Sequence, residues 1–209
     1  MSLWNKFKDI QLDTLKEIGN IGAGNAATSL SNLLQKKIEM KVPDVSIVGF
    51  NEIAEVVGGP EEVVVSVFLR IEGDLPGCMF FTLTTKSAAQ LLESMQLGKS
   101  DEEFNELELS ALQEVGNILS GSYLSALADF TGLNLQPSVP ALAIDMAQAI
   151  LSYGLIEVGK VGDYALLIDT TVLDLSTSTE NSIKGKFFLL LDPDSFATLF
   201  ATLGVPLDE

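Results

Sequence analysis

The chain has 209 residues, of which 29 are acidic, 12 are basic and none is histidine, so its formal net charge is −17. Such an acidic chain repels the phosphate backbone of nucleic acids, which argues against DNA or RNA binding. The lack of histidine excludes Ser-His-Asp and Cys-His catalysis and every His-based metal site. Any chemistry must therefore use carboxylates, amides, hydroxyls, lysines or a single thiol.

The composition also predicts a cytoplasmic protein. No apolar run approaches the roughly 20 residues needed to span a bilayer, and the N-terminal MSLWNKFKDIQLD turns polar too soon for a secretory signal. One cysteine cannot form an internal disulfide, so nothing indicates an oxidising compartment. Cys78 lies in a β-like run between Gly77 and Met79, which favours a core thiol over a nucleophile.

In chain order, the first half predicts a long helix, a strand, a short helix, a β-hairpin and a closing helix. The long helix carries LKEIGNIGAG at residues 15–24, and the strand is SIVGF. VVVSVFLRI and GCMFFTLT are two strand-like runs at hairpin spacing. The half closes with KSAAQLLESMQLG, a helical pattern that ends in glycine.

The second half repeats this order. Its long helix carries LQEVGNILSG at residues 112–121, and ALAID, DYALLIDTTVLDL and IKGKFFLLL follow as strands before the helical DSFATLFATLG. Setting residue n against residue n+97 aligns the halves. The identical pairs are Leu12/Leu109, Leu15/Leu112, Glu17/Glu114, Gly19/Gly116, Asn20/Asn117, Ile21/Ile118, Gly24/Gly121, Leu30/Leu127, Val42/Val139 and Pro43/Pro140.

The duplication predicts a single domain over residues 1–209, made of repeats at about 8–98 and 103–204 with a linker at about 98–102. Hairpin spacing implies antiparallel strand pairing and not βαβ crossovers. The predicted fold class is α/β of the α+β type, with internal pseudo-two-fold symmetry. Two long helices would pack with a six-stranded, mainly antiparallel sheet, to which each half contributes three strands.

A polar stripe runs along each long helix. At 100° per residue, the stripe residues of the first helix fall within about 60° of one another, and the second helix repeats the arrangement. These residues are Asp13, Glu17, Asn20 and Gly24 in the first helix and Ser110, Glu114, Asn117 and Gly121 in the second. The predicted apolar faces are Leu12, Leu15, Gly22, Ala26, Leu30 and Leu33, and Leu109, Leu112, Tyr123, Leu127 and Phe130. The stripes should face solvent or a partner.

Glycine and asparagine are both unfavourable inside a helix, glycine by about 1 kcal/mol relative to alanine. Close packing on the apolar side accounts for Gly19 and Gly116, but it does not explain an outward Glu and Asn in both copies. Glu-x-x-Asn alone is a weak signal. Both copies also keep a proline 23 residues after the Asn and a short polar residue four before the Glu. These supporting residues are Pro43 and Pro140, and Asp13 and Ser110.

The spaced pattern Asp/Ser-x3-Glu-x2-Asn-x22-Pro, present twice, resembles the signature of the CheC–CheX–FliY family of chemotaxis phosphatases. The resemblance covers essentially the whole chain. CheX-like members carry one motif and form two sites by dimerising, and FliY-like members add a C-terminal flagellar-switch segment. Two motifs without such a segment are typical of CheC-type members, and the expected state is a monomer.

The resemblance implies that the substrate is CheY-P, a response regulator that carries an aspartyl phosphate. Asn20 and Asn117 would orient the attacking water, while Glu17 and Glu114 would hold the regulator's active-site lysine. The protein would need no cofactor of its own, because Mg²⁺ would arrive with CheY-P. This chemistry suits a histidine-free chain, since phosphoryl transfer depends mainly on positioning and charge stabilisation.

Other interpretations of these residues are weaker. A metal site is disfavoured because Glu17 and Glu114 belong to different helices and each stripe offers few oxygens. GNIGAGNAA lacks the preceding strand and the lysine of a phosphate-binding loop. The serious alternative is a non-catalytic CheY-P-binding or flagellar-switch protein, because FliM-type proteins are similar in fold and lack the Glu/Asn pair. The pair in both halves argues against it.

The resemblance also implies binding to CheD, a receptor deamidase, through a short helix of the second half at about residues 145–152. The candidate contact residues are Asp145, Met146, Gln148 and Ala149. The alternative is an ordinary amphipathic connector that packs Ile144, Ala147 and Ile150 inward.

Overall fold

A computed structural model describes residues 9–98, 103–158, 164–175, 182–191 and 193–205. The elements of the first half are α1 (Asp9–Leu34), β1 (Ile38–Lys41), β2 (Val45–Gly49), α2 (Ile53–Val56), β3 (Val63–Gly73), β4 (Gly77–Thr84) and α3 (Thr85–Ser94). Those of the second half are α4 (Glu106–Thr131), β5 (Leu135–Pro137), β6 (Ala141–Met146), α5 (Ala147–Val158), β7 (Tyr164–Asp174), β8 (Ser182–Leu191) and α6 (Pro193–Thr202). Most of the predicted linker lies outside the described residues.

The strands form one antiparallel sheet, which confirms the predicted fold class. Its path is β1–β7–β8–β4–β3–β5, with β2 also on β7 and β6 also on β3. The eight segments therefore occupy six positions, because each edge position is divided into two short strands. Pro43 and Pro140 lie at these divisions, where a residue without an N–H interrupts the ladder of an edge strand at little cost.

The two halves exchange their first strands, which the prediction of one sheet with three strands from each half did not foresee. β1 and β2 of the first half pair with β7 of the second, whereas β5 and β6 of the second half pair with β3 of the first. The halves meet at the centre, where β4 pairs with β8 and Phe80 lies opposite Phe188. The pseudo-two-fold axis passes between these two strands. Sequence order could not reveal the exchange, because an antiparallel edge strand can join either hairpin.

Helices cover both faces of the sheet. On one face, side chains of α1, α3, α4 and α6 form the larger core, in which the Phe187 ring packs 4.7 Å from Phe81 and 4.5 Å from Tyr123 between centroids. On the other face, residues of α2 and α5 form a smaller cluster around Phe80 and Phe188. α1 and α4, the helices that carry the two motifs, thus lie on the same face of the sheet.

Local sequence signals set the ends and the contact of the long helices. Asn105 caps α4 by accepting hydrogen bonds from two backbone N–H groups, and Glu108 completes the capping box. Gly132 ends the helix at φ +68°. α1 meets α4 at Gly22, where a Cβ atom would lie 3.0 Å from the Tyr123 Cα. The predicted apolar faces are right except at their ends, because Leu33 and Phe130 are exposed.

Candidate functional site

The polar stripes lie on the outside of the molecule. α1 and α4 bury their apolar faces against the sheet and each other, so the opposite faces point outwards. The carboxylate, amide and hydroxyl residues of both stripes are exposed, as the helical geometry predicts. They are Asp13, Glu17 and Asn20 on α1 and Ser110, Glu114 and Asn117 on α4.

Asn20 is tied to the loop that contains its motif proline. Its Oδ1 accepts a hydrogen bond of 3.2 Å from the backbone N–H of Val42, the residue before Pro43. Because the amide N–H can only donate, this contact fixes the orientation of the Asn20 carboxamide with its oxygen towards the loop. Its NH₂ group therefore points away from Val42. The 23-residue spacing between Asn and Pro thus has a direct structural reason in this half.

The second half attaches its loop differently. Gln113 Nε2 donates a hydrogen bond of 2.8 Å to the carbonyl oxygen of Pro140. The Asn117 carboxamide makes no hydrogen bond to any residue that the structure describes. Val139, the counterpart of Val42, is 87% exposed, whereas Val42 is 3% exposed. The second loop is therefore held at Pro140 by Gln113, without a hydrogen bond from Asn117.

The helical glycines divide into two kinds. Gly24 and Gly121 lie on the stripes one turn after each Asn, and a Cβ atom there would meet nothing within 4 Å. The buried pair is Gly19 and Gly116. A Cβ at Gly116 would lie 2.5 Å from a Val67 methyl group, whereas one at Gly19 would lie an ordinary 3.5 Å from Val42. Of this buried pair, therefore, only Gly116 is required by close packing, and the packing is against the sheet, unlike that of Gly22 against α4.

Two contributors to the site were not predicted. The Val42 N–H is a backbone donor, and its only trace in the sequence is the Val-Pro pair at both motif prolines. Gln113 has no such trace, because its counterpart at the 97-residue offset is Lys16. An unlike pair carries no repeat signal.

The remaining candidate chemical groups do not form a site. Cys78 is buried, and burial raises the pKa of its thiol to about 12, so it is a core thiol as predicted. Within the described ranges, no three His, Cys, Asp or Glu side chains are grouped to hold a metal ion. Nor does any helix in the described part of the chain have the length and apolarity to cross a membrane.

The segment assigned to CheD binding is part strand and part helix. Asp145 and Met146 end β6, and α5 begins only at Ala147, so the predicted helix at 145–152 starts two residues too early. Asp145, Met146 and Gln148 are exposed and Ala149 is half-buried. Of the residues expected to pack inward, Ala147 and Ile150 are buried. Ile144 is 38% exposed at the sheet edge, so that expectation is wrong.

Comparison with known proteins places these features in one family. A family model described as the CheC-like family matches residues 10–47 and 107–144, two segments offset by the same 97 positions as the sequence repeat. A Bacillus subtilis (strain 168) protein named CheY-P phosphatase CheC is 44% identical over 99% of this chain and all of its own length. The chain belongs to the CheC-like family, which confirms the resemblance seen in the sequence.

Solved structures support the same fold at lower identity. The solved chain of Thermotoga maritima FliY is 23% identical with a TM-score of 0.74, and the match covers 95% of this chain and 98% of that solved chain. The FliM middle domain from H. pylori is 13% identical with a TM-score of 0.67, covering 94% of this chain and 99% of that domain. At these identities the likeness shows the fold alone. Fold therefore does not separate a phosphatase from a switch protein, and the side chains of the stripes must do so.

Proposed function

We propose that this chain is a chemotaxis phosphatase that hydrolyses the aspartyl phosphate of CheY-P at two sites, Glu17/Asn20 and Glu114/Asn117. Its 44% identical relative bears the name of that activity. The observation that carries the proposal is the repeated pair itself. An exposed Glu and an exposed Asn lie one helical turn apart at equivalent places on α1 and α4, with no burial or packing reason to be there.

In the proposed step, each Asn positions one water for in-line attack on the phosphorus. The new bond joins the water oxygen to phosphorus, the bond from phosphorus to the regulator's carboxylate oxygen breaks, and the water proton leaves on inorganic phosphate. An amide suits this task because it donates and accepts without a pKa near 7. At Asn20 the oxygen holds the Val42 N–H but keeps a second lone pair, and the NH₂ group remains available.

Each Glu is proposed to bind the regulator's active-site lysine. A carboxylate facing an ammonium group adds a charge-assisted contact that sets the register of docking. Glu17 and Glu114 are exposed in the free protein, so their carboxylates stay hydrated until the partner docks. The free-energy cost of desolvating them in the free protein is therefore small. The Mg²⁺ that acyl phosphate chemistry uses would be the regulator's, with no cofactor held by this chain.

A further partner, a location and an oligomeric state are also proposed. CheD would contact the end of β6 and the start of α5, where Asp145, Met146 and Gln148 are exposed and Ala149 is half-buried. A cytoplasmic location and a monomeric state follow from the proposed partner and from two motifs in one chain. Capture of purified CheD by this chain, weakened by Gln148→Glu, would test the first of these.

The deciding experiment measures the decay of ³²P-labelled CheY-P in Mg²⁺ with and without this protein. We expect faster decay with the intact chain and the intrinsic rate with the Asn20→Ala/Asn117→Ala variant. Asn25→Ala is a matched control, because Asn25 is exposed on α1 but lies off the stripe. Binding of CheY-P without faster decay would establish the alternative, a non-catalytic switch-type binder.

A further inference from the structure

The sheet face that carries α2 and α5 changes from apolar to polar along its length. Thr82 of β4 lies opposite Lys186 of β8, which lies opposite Asp169 of β7. Directly opposed residues of antiparallel strands share a face, so these side chains form one row. One pleat further, Lys184 lies opposite Thr171 in a second row on the same face. Two lysines are thus placed side by side in a chain with only 12 basic residues.

These rows form the floor of a cavity of about 410 Å³. Val56 at the end of α2, Val57 directly after it, and Pro43 line it with apolar surface. The start of α3 lines it too, where Thr84 accepts a hydrogen bond from the Ser87 N–H and donates one to the Ser87 hydroxyl. The volume falls within the range of about 300–1,000 Å³ that is typical of small-molecule sites.

The charges in the cavity are unequal. Lys186 Nζ contacts Asp169 Oδ1 at 2.6 Å, so this pair is neutral as a unit. Lys184 has no carboxylate partner in the part of the chain that the structure describes. The Thr82 hydroxyl is already bonded to Ser66 at 3.0 Å. Lys184 therefore leaves one net positive charge beside unoccupied space, against the overall charge of −17.

We infer that this cavity binds a small organic monoanion, with its anionic head on Lys184 and its apolar body against Val56 and Val57. One unpaired ammonium group matches one negative charge, and the apolar wall gives a carbon chain a surface that inorganic ions cannot use. The cavity is separate from the Glu/Asn stripes, which lie on the opposite side of the sheet. Pro43 connects the two regions, since it lines the cavity and follows Val42, the donor to Asn20.

The test is two-dimensional NMR titration of the ¹⁵N-labelled full chain with hexanoate, hexanamide and inorganic phosphate. We expect hexanoate to cause saturable shifts of the Thr84, Ser87, Lys184 and Lys186 amides, and both other probes to bind at least roughly tenfold more weakly. Lys184→Gln should weaken hexanoate binding roughly tenfold, the loss expected for one charge-assisted contact. Lys184 is exposed, so the substitution should not disturb folding.

Lys37→Gln is the matched control, because it removes another exposed lysine, outside the cavity, and hexanoate binding should be unchanged. Absence of saturable shifts at the cavity amides would overturn the inference. So would hexanoate binding that Lys184→Gln leaves intact. Equal binding of phosphate and hexanoate would show that the apolar wall contributes nothing and would overturn the assigned ligand class.

Discussion

The two halves of this molecule use the same motif but hold it in different ways. In the first half, Asn20 itself accepts the hydrogen bond that anchors the proline loop, and Val42 is buried beneath it. In the second half, Gln113 anchors the loop at Pro140 and leaves Asn117 without a partner among the described residues. Duplication has therefore preserved the exposed pair and the proline while the supporting contact has changed.

This difference bears on how each Asn would work. A carboxamide held by a backbone N–H is already oriented before the substrate docks, whereas a free one must be ordered during docking. Preorganisation at Asn20 should therefore favour a steadier water position, and freedom at Asn117 should let it adapt to the bound regulator. The two sites should therefore differ in rate. The hydrogen bond that anchors one proline loop cannot orient the Asn of the other site.

The largest expected effect comes from removing both amides. The Asn20→Ala/Asn117→Ala variant should lose about 100-fold or more of its phosphatase rate, because a positioned polar group in phosphoryl or acyl transfer is worth that much. Each single variant should keep the activity of the intact site. Initial rates of CheY-P decay at saturating regulator measure this.

Far-ultraviolet circular dichroism should show the native fold in all three variants, since both side chains are exposed. Full activity in the double variant would remove Asn from the mechanism. Inactivity of one single variant and full activity of the other would mean that the molecule has one working site and one vestigial copy.

A smaller effect is expected from the carboxylates. Glu17→Gln with Glu114→Gln should raise the KM for CheY-P roughly tenfold, because each change removes a charge-assisted contact made on docking. The kcat should fall less than in the Asn variant, since water orientation matters mainly in the transition state. Steady-state kinetics separates the two. A Glu variant with normal KM and strongly reduced kcat would instead place the carboxylate at the reacting atoms.

The equivalent glycines offer a test that needs no substrate. Gly116→Ala should destabilise the fold by about 1–2 kcal/mol, because its Cβ would overlap Val67 and the strain exceeds the gain in helix propensity. Gly19→Ala should be neutral or stabilise by up to about 1 kcal/mol. Urea unfolding monitored by circular dichroism gives both values. Equal losses in the two variants would show that both helices press equally closely on the sheet.

Much of this fold follows from periodicity and repetition. The two long helices, the hairpins and the outward stripes could be predicted because each depends on local pattern, and the 97-residue offset doubled every signal. The exchange of edge strands could not, because strand partners are chosen by long-range packing that leaves no local trace. The division of each edge strand follows from its proline, but only once its edge position is known.

The site, like the fold, could be predicted from the sequence only in part. Asn20 and Asn117 could be chosen from their poor fit to an ordinary helix, and Glu17 and Glu114 from their repeated spacing to them. The Val42 donor is a backbone N–H group, and a pattern of side chains does not predict a backbone hydrogen bond. Gln113 diverged from Lys16, so comparing the halves hides it. The boundaries of the repeats, at about 8–98 and 103–204, remain a prediction.

The asymmetric anchoring should also appear in stability. Asn20→Ala removes the acceptor of the Val42 N–H and should destabilise by roughly 0.5–1 kcal/mol after the better helix propensity of alanine is included. Asn117→Ala removes no hydrogen bond seen in the described residues and should be neutral or stabilise by a few tenths of a kcal/mol. Thermal unfolding of both variants compares them. A loss in Asn117→Ala as large as in Asn20→Ala would mean that the second amide is also tied down.

Small and equal effects should come from Gly24 and Gly121, where both halves behave alike. Each lies on its stripe one turn after the Asn, and a methyl group there would meet nothing within 4 Å. Nothing inside the described chain therefore requires glycine, although each lowers helix stability by about 0.5–1 kcal/mol relative to alanine. A bare helix surface beside the Asn is instead suited to close approach of the regulator.

Gly24→Ala and Gly121→Ala should each raise the free energy of unfolding by about 0.5–1 kcal/mol, and together they should raise the KM for CheY-P. If the double alanine variant gains stability but its KM is unchanged, the regulator does not approach this part of the stripe. The glycines would then have no role in docking.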